Sequence, residues 1–251
     1  MTKRLKWEIV IGLLLIALSA ILFFAQAIIF HRTRDTFFHL LQNLAFLPIE
    51  VLLVTIILDR LLAFREKQDV MRKINMVIGT FFNEAGTDLL VFFLGFGPLP
   101  APISNELHTS DAWDNSRFAM AINILRAHKY HVDVGPEKLE SLKHFLLGKR
   151  EALLTMLENP ALVEHDSFTD ALLAVFHVAD ELSHRKSMSG LPESDYMHLA
   201  GDIQRAYHLL VLEWLYYMKH LKKEYPYLFS LAVRTNPFDA SASVIVRQQN
   251  K

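Results

Sequence analysis

The sequence predicts an all-α protein with a transmembrane hairpin at its head and a helical bundle behind it. Three observations carry that expectation. The 22 residues from Ile9 to Phe30 hold no charged side chain. A second apolar stretch, Leu44 to Phe64, follows after a short connection. From there to Thr235 the apolar residues recur at helical spacing, and no run alternates with the period of a strand.

Composition agrees. Of the 251 residues 52% are hydrophobic and 21% are charged, more apolar and less charged than an ordinary soluble domain. With no cysteine, disulfide scaffolds, thiol catalysis, Fe–S clusters and thiolate-bound zinc are excluded. A formal net charge of −1 gives no sign of a nucleic-acid partner.

The elements follow in order. Residues 1–6 form a short N-terminus. Within the first span, residues 7–30, the charge-free run from Ile9 to Phe30 is roughly 33 Å of helix at about 1.5 Å per residue, enough for a hydrocarbon core of about 30 Å. Trp7 sits at its interfacial edge. The alternative is a signal peptide, with Lys3, Arg4 and Lys6 ahead of it and Ala25-Gln26-Ala27 as the cleavage site. Signal cores are about 7–15 residues long, so the longer run favours an anchor. Residues 31–43 make a short external connection. There Phe37, Phe38, Leu40, Leu41 and Leu44 recur as in an interfacial helix.

The second span, residues 44–64, contains Pro48 and Glu50. Proline removes one backbone donor inside the helix. A carboxylate at membrane depth is costly and faces a partner or water. Three roles stay open for Glu50: a hydrogen bond to Ser19 or Gln26 of the first span, the lining of an ion or proton path, or a shallower position. The two outer flanks carry eight Lys and Arg against two in the connection. That asymmetry predicts an inner, cytoplasmic-membrane protein of two passes with both termini cytoplasmic.

Residues 65–94 continue as a helical stalk. Val70, Ile74, Val77 and Phe81 fall at 4-3-4 spacing, a stripe that packs either on its own domain or against copies of the chain. Gly95, Gly97, Pro98, Pro100 and Pro102 mark residues 95–107 as a linker. The bundle, residues 108–235, reads as four helices and a short fifth. These are Asp111–Ala127, a helix opening at Pro136 and ending at Asn159-Pro160 with a break near Gly148, one capped by Ser167 and Asp170 and ending near Arg185, one from Ser194 to Glu224, and a short helix after Pro226. Residues 236–251 are a polar tail.

The runs Phe46-Leu47-Pro48-Ile49-Glu50-Val51 and Lys73-Ile74-Asn75-Met76-Val77-Ile78-Gly79 resemble a family of hypothetical prokaryotic membrane proteins, as do Tyr225 to Ser230 and Arg234 to Phe238. That family has two spans and a C-terminal helical domain. The resemblance implies an inner-membrane location and no activity.

Candidate chemistry is sparse. His177, Glu181 and His184 form the one metal-like group, with a Glu-x-x-His pair. The apolar stripe of their helix runs through Leu172, Val175, Phe176 and Ala179, so the group reads as a solvated face and no metal or cofactor is expected. His198 and Asp202, four residues apart, are placed to pair. Phosphate-loop, dinucleotide and nucleophile-elbow motifs do not occur. Between Ala206 and Met218 the fourth bundle helix is apolar on all sides except for Glu213. Leu209, Leu212 and Tyr216 lie off its main stripe and suit either central burial or an oligomer interface.

The expected function is a non-enzymatic interaction or sensory module carried on the membrane. Its partners are the lipid bilayer and, through the second span, the stalk or the 206–218 helix, further copies of the chain. The alternative is a homo-oligomeric channel lined by the second span and Glu50. Less favoured is a metal-dependent, membrane-anchored enzyme.

Overall fold

The computed structural model describes residues 33–245 apart from 161, 163 and 164, and before them residues 13, 14, 16–22, 24, 25 and 28. The expectations for residues 1–6, for half of the first span and for residues 246–251 fall outside the described residues. Among the described residues every regular element is helical. The elements are α1 Thr33–Phe81, a π-turn Phe82–Gly86, α2 Thr87–Phe96 and α3 Ala101–Ser104, which runs into a 3-10 turn Asn105–Leu107. Then come α4 Asn115–Ala127, α5 Pro136–Leu157, α6 Asp166–Ser183, α7 Glu193–Glu224 and α8 Pro226–Arg234.

The chain divides into two units, Met1–Glu66 and Lys67–Lys251. In the first, α1 carries Pro48 within its length and continues through it. The helical stretch Phe38–Phe96 includes a window apolar enough to cross a membrane, none of it buried. Every described side chain from Phe38 to Phe64 is exposed, including Leu41, Leu52 and Leu62.

The second unit has one core. α7 lies at its centre and packs on α6, α4, α8 and α2, while α5 covers α6. Leu199, Ile203, Leu210, Leu215 and Met218 of α7 are fully buried. They meet Phe168, Leu172, Val175 and Leu182 of α6, Leu139, Leu142 and Leu153 of α5, and Phe118 and Leu125 of α4 in one apolar cluster. Within these sets most neighbours fall three, four or seven residues apart, so each helix has an apolar face to hide.

The caps follow from local chemistry. The Asp114 carboxylate accepts from the Arg117 amide at 2.7 Å and opens α4. Pro136 and Pro226 hold the first positions of α5 and α8. α6 differs from the expected Ser167 cap. It begins two residues earlier, with His165 Nδ1 accepting from the Phe168 amide at 3.2 Å. α5 runs unbroken through Gly148, which faces open space.

Two glycines are required by close approach. A Cβ on Gly97 would sit 1.8 Å from the His131 carbonyl oxygen. The loop crosses there because the Asp133 amide donates to the Phe96 carbonyl at 2.9 Å. A Cβ on Gly86, in the π-turn, would meet the Phe81 ring at 2.5 Å, and Phe81 is fully buried and cannot move aside.

The largest departure from expectation concerns residues 65–107. Neither the stalk nor the linker stands apart from the bundle. Ile74, Ile78 and Phe81 at the end of α1, then Leu89, Leu90, Phe93, Phe96 and Leu107, are buried in the core they share with α5, α6 and α7. The Phe81 ring meets Phe168 edge-on at 5.5 Å, and Phe82 stacks on Tyr217 at 5.0 Å. The tail joins as well: Phe238 packs on Trp214 at 5.0 Å, and Asn236 Nδ2 donates to the Leu107 carbonyl at 2.8 Å. The Ile74–Phe81 stripe therefore belongs to its own domain, and the domain opens at Lys67. A fragment of residues 67–245 should unfold in one cooperative thermal transition. A fragment of residues 107–235 should keep helix by circular dichroism but lose that transition, because it leaves several fully buried side chains behind, each worth about 2–5 kcal/mol.

Candidate functional site

The richest polar arrangement lies where α6 and α7 meet. The residues come from two helical faces and the loop between them. His177 and Glu181 stand one turn apart on α6, and Asp195, His198 and Asp202 stand on α7. Arg185 lies just beyond the end of α6. Its Nε and Nη2 donate to the two carboxylate oxygens of Asp195, each at 2.8 Å. Its Nη1 donates to Glu181 Oε2 at 2.7 Å and to the Glu181 carbonyl at 2.6 Å. This fork ties the two helices across their turn. The Arg185 hydrogen bonds hold both Asp195 and Glu181 below the usual carboxylate range. Asp195 in turn holds Arg185 above its ordinary value.

Asp202 is the buried member, with 5% of its side chain exposed. Nε2 of His177 and Nε2 of His198 each lie 3.3 Å from its Oδ2. Neither ring has hydrogen-bond geometry to that oxygen, which is buried without a hydrogen-bond partner. Arg205 Nη1 approaches Oδ1 at 3.4 Å. Glu181 completes the group, 4.0 Å from His177 Nε2 and 3.7 Å from His198 Nε2.

Of the predicted trio, the structure joins His177 to Glu181 and leaves His184 out. His184 is the C-cap of α6, and its Nδ1 lies 2.7 Å from the Asp180 carbonyl oxygen. The Glu181 carboxylate is taken up by Arg185. Among the described residues no group of three or more His, Cys, Asp or Glu is set to hold a metal ion. Asp202 was visible in the sequence only as the helical partner of His198; its burial against His177 depends on the α6–α7 contact.

The remaining residues singled out above are placed as follows. Glu50 is exposed on α1, two residues beyond Pro48. Gln26, one of its two possible partners, lies outside the described residues, and Ser19 is exposed. Leu212 is 8% exposed and belongs to the core, while Leu209 and Tyr216 pack partly against it. Tyr216 Oη accepts from Arg126 Nη2 at 2.8 Å, which links α4 to α7. Glu213, 2% exposed, has an Oε2 buried without a partner.

Burial pushes the Glu213 carboxyl up, against a smaller opposing pull from the Ser167 hydroxyl and His165. A carboxyl raised in the fold favours the neutral form. Its contribution to stability is therefore greatest at acid pH and falls as pH rises past the ordinary carboxylate value. Glu213→Gln should raise the thermal midpoint at pH 8 and leave it nearly unchanged at pH 4. For a chain of this size about 1 kcal/mol moves the midpoint by roughly 2–4 °C. A wild-type advantage at pH 8 in calorimetry would contradict this.

Comparison with known proteins adds a family. Residues 2–62 match the N-terminal helical domain of the MJ1433 family, and residues 70–234 match the C-terminal helical domain described for the uncharacterized protein MJ1433. The gap between the matches contains the unit boundary at Glu66. The uncharacterized protein MJ1433 of Methanocaldococcus jannaschii is 42% identical over 246 residues, covering 98% of both chains. No solved structure matches. In sequence along its whole length and in its division into two helical units, this chain belongs to the MJ1433 family of uncharacterized proteins.

Proposed function

We propose that the chain is an integral membrane protein of two passes, whose C-terminal helical domain is a cytoplasmic, non-enzymatic interaction or sensory module. The observation that supports this best is the bare apolar surface of α1. Side chains from Phe38 to Phe64 are exposed all round the helix. Apolar surface left in water forgoes about 25 cal/mol per Å², and patches of this extent serve as membrane or partner contacts. The charge-free run from Ile9 to Phe30 supplies a second pass, and the eight-to-two excess of Lys and Arg in the outer flanks gives its orientation. Further copies of the chain, meeting through the second span, are the expected partners inside the bilayer.

The polar seam between α6 and α7 supports a non-enzymatic role. Arg185, Glu181 and Asp195 are spent on one another, an arrangement that fixes two helices rather than one that receives a substrate.

Expressed in a bacterial host, the protein should stay in the membrane fraction through an alkaline carbonate wash. Reporter fusions after Lys6 and after Leu107 should both report cytoplasm. A periplasmic signal at Leu107 would invert the topology, and release by carbonate would remove the spans.

A second reading, favoured by the exposed carboxylate of Glu50 on this apolar helix, is a homo-oligomeric channel or proton path. Glu50→Gln should leave liposome ion flux unchanged if the residue is a structural contact. A wild-type flux altered by that substitution, with assembly intact, would make the channel the better account.

A further inference from the structure

A second concave site lies in the helical domain, away from the Arg185 fork. It is a cavity of about 340 Å³ between α7 and the loop that follows α4. The loop contributes His128, Lys129 and Tyr130, and α7 contributes Gln204, Arg205 and His208. Gly201, at the near end, carries no side chain and would meet nothing with one. The lining holds two full cations, two imidazoles, an amide and a phenol, and no carboxylate.

Three further observations give the site a direction. First, the Tyr130 side chain is 4% exposed and its hydroxyl has no hydrogen-bond partner. Burial raises that phenol well above its ordinary value, so it stays protonated and keeps a proton to donate to an acceptor. Second, the two histidines are uncompensated. Burial lowers His128, and burial, then the charges of His128 and Arg126, lower His208. A negative charge beside them would offset the cost that burial puts on their protonated forms. Third, Arg205 is available. Its contact with Asp202 is a single one at 3.4 Å, and 63% of its side chain is exposed. Edge-on ring contacts hold the wall: Tyr130 meets His128 at 4.9 Å, Tyr207 at 4.8 Å and His208 at 5.3 Å.

We propose that this cavity binds a small phosphate monoester dianion. Lys129 and Arg205 supply two charges for a dianion, and the Tyr130 hydroxyl and the imidazoles supply fixed donors to its several oxygens. A volume of about 340 Å³ lies at the lower end of ligand pockets, about 300–1,000 Å³, which suits a small phosphorylated molecule or the headgroup of a phosphomonoester lipid. The inference deepens the sensory reading by naming what is sensed. It rests on that reading for its role only, because binding can be measured whether or not the chain spans a membrane.

The test is calorimetric titration of the full-length protein in a nonionic detergent, at constant ionic strength set with potassium chloride. One arm titrates glycerol 3-phosphate, with glycerol as its uncharged control. The other titrates detergent micelles carrying phosphatidic acid, with phosphatidylcholine micelles as control. Saturable binding of one equivalent is expected in at least one arm. A soluble-arm response alone assigns a solution metabolite, and a micelle-arm response alone assigns a lipid headgroup. Lys129→Gln and Arg205→Gln should each weaken binding at least about tenfold, and Tyr130→Phe should weaken it roughly fivefold. All three should keep the wild-type circular dichroism spectrum and a cooperative thermal transition. The proposal is overturned by the absence of saturable binding in both arms, or by binding that persists undiminished in the Lys129→Gln and Arg205→Gln proteins. Failure of the reporter fusions would leave this result untouched, so the two readings fail separately.

Discussion

The contact between the last turns of α1 and the face of α6 holds the C-terminal domain closed. Phe81 is fully buried and meets Phe168 edge-on, and Ile74 and Ile78 lie in the same cluster. Without them α6 would be covered by α5 on one side and α7 on the other, with its remaining apolar surface open to water. The following turn depends on the same contact. The π-turn places Phe82 flat on Tyr217 of α7, and α2 then lays Leu89, Leu90 and Phe93 into the core. The loop from Phe96 to Asp133 can close over this layer only because Gly97 has no side chain to strike the His131 carbonyl. Helices far apart in sequence are thus joined through a few aromatic rings.

The all-α class and most bundle helices could be read from sequence because each has one apolar face at a spacing of three and four. α5, α7 and α8 start within a residue of Pro136, Ser194 and Pro226, where proline or a preceding turn marks the first position. The stripe from Val70 to Phe81 was equally plain, but periodicity gives the face and not the partner. Whether such a stripe meets its own domain or another copy is set by contacts distant in sequence. Gly95, Gly97 and three prolines suggested a linker, whereas Gly97 serves a tight backbone crossing and Phe96 beside it is buried. Glycine composition does not distinguish freedom from close approach.

The polar site was legible in parts. His177 and Glu181 were visible as a pair, and so were His198 and Asp202. That they form one group required the pairing of α6 with α7. Arg185 carried no motif, yet it engages two carboxylates and a carbonyl. Likewise the cavity at Tyr130 joins a loop to a helix some seventy positions away, and nothing in local spacing announces it. Buried polar atoms such as those of Asp202, Glu213 and Tyr130 mark where folding has accepted a cost for polar groups that hydrophobic patterning alone would have avoided.

The π-turn at Phe82–Gly86 sets a rule for how this chain can change length. A π-turn is one residue longer than the α-helical turn it replaces, and each residue of an α-helix advances the face by about 100°. Here the extra residue is stabilised locally: the Thr87 amide bonds the Phe82 carbonyl and the Thr87 hydroxyl donates to the same oxygen at 2.8 Å. Losing one residue between Phe81 and Thr87 would restore a regular helix and leave Leu89 and Phe93 facing the core, because the π-turn has already absorbed the extra residue. A further residue gained in this stretch would turn α2 by about 100° and carry Leu89 and Phe93 off the core, whereas the tip of the loop at Ser189-Gly190, where Gly190 takes a positive φ of 77° in open space, can lengthen without moving any helix.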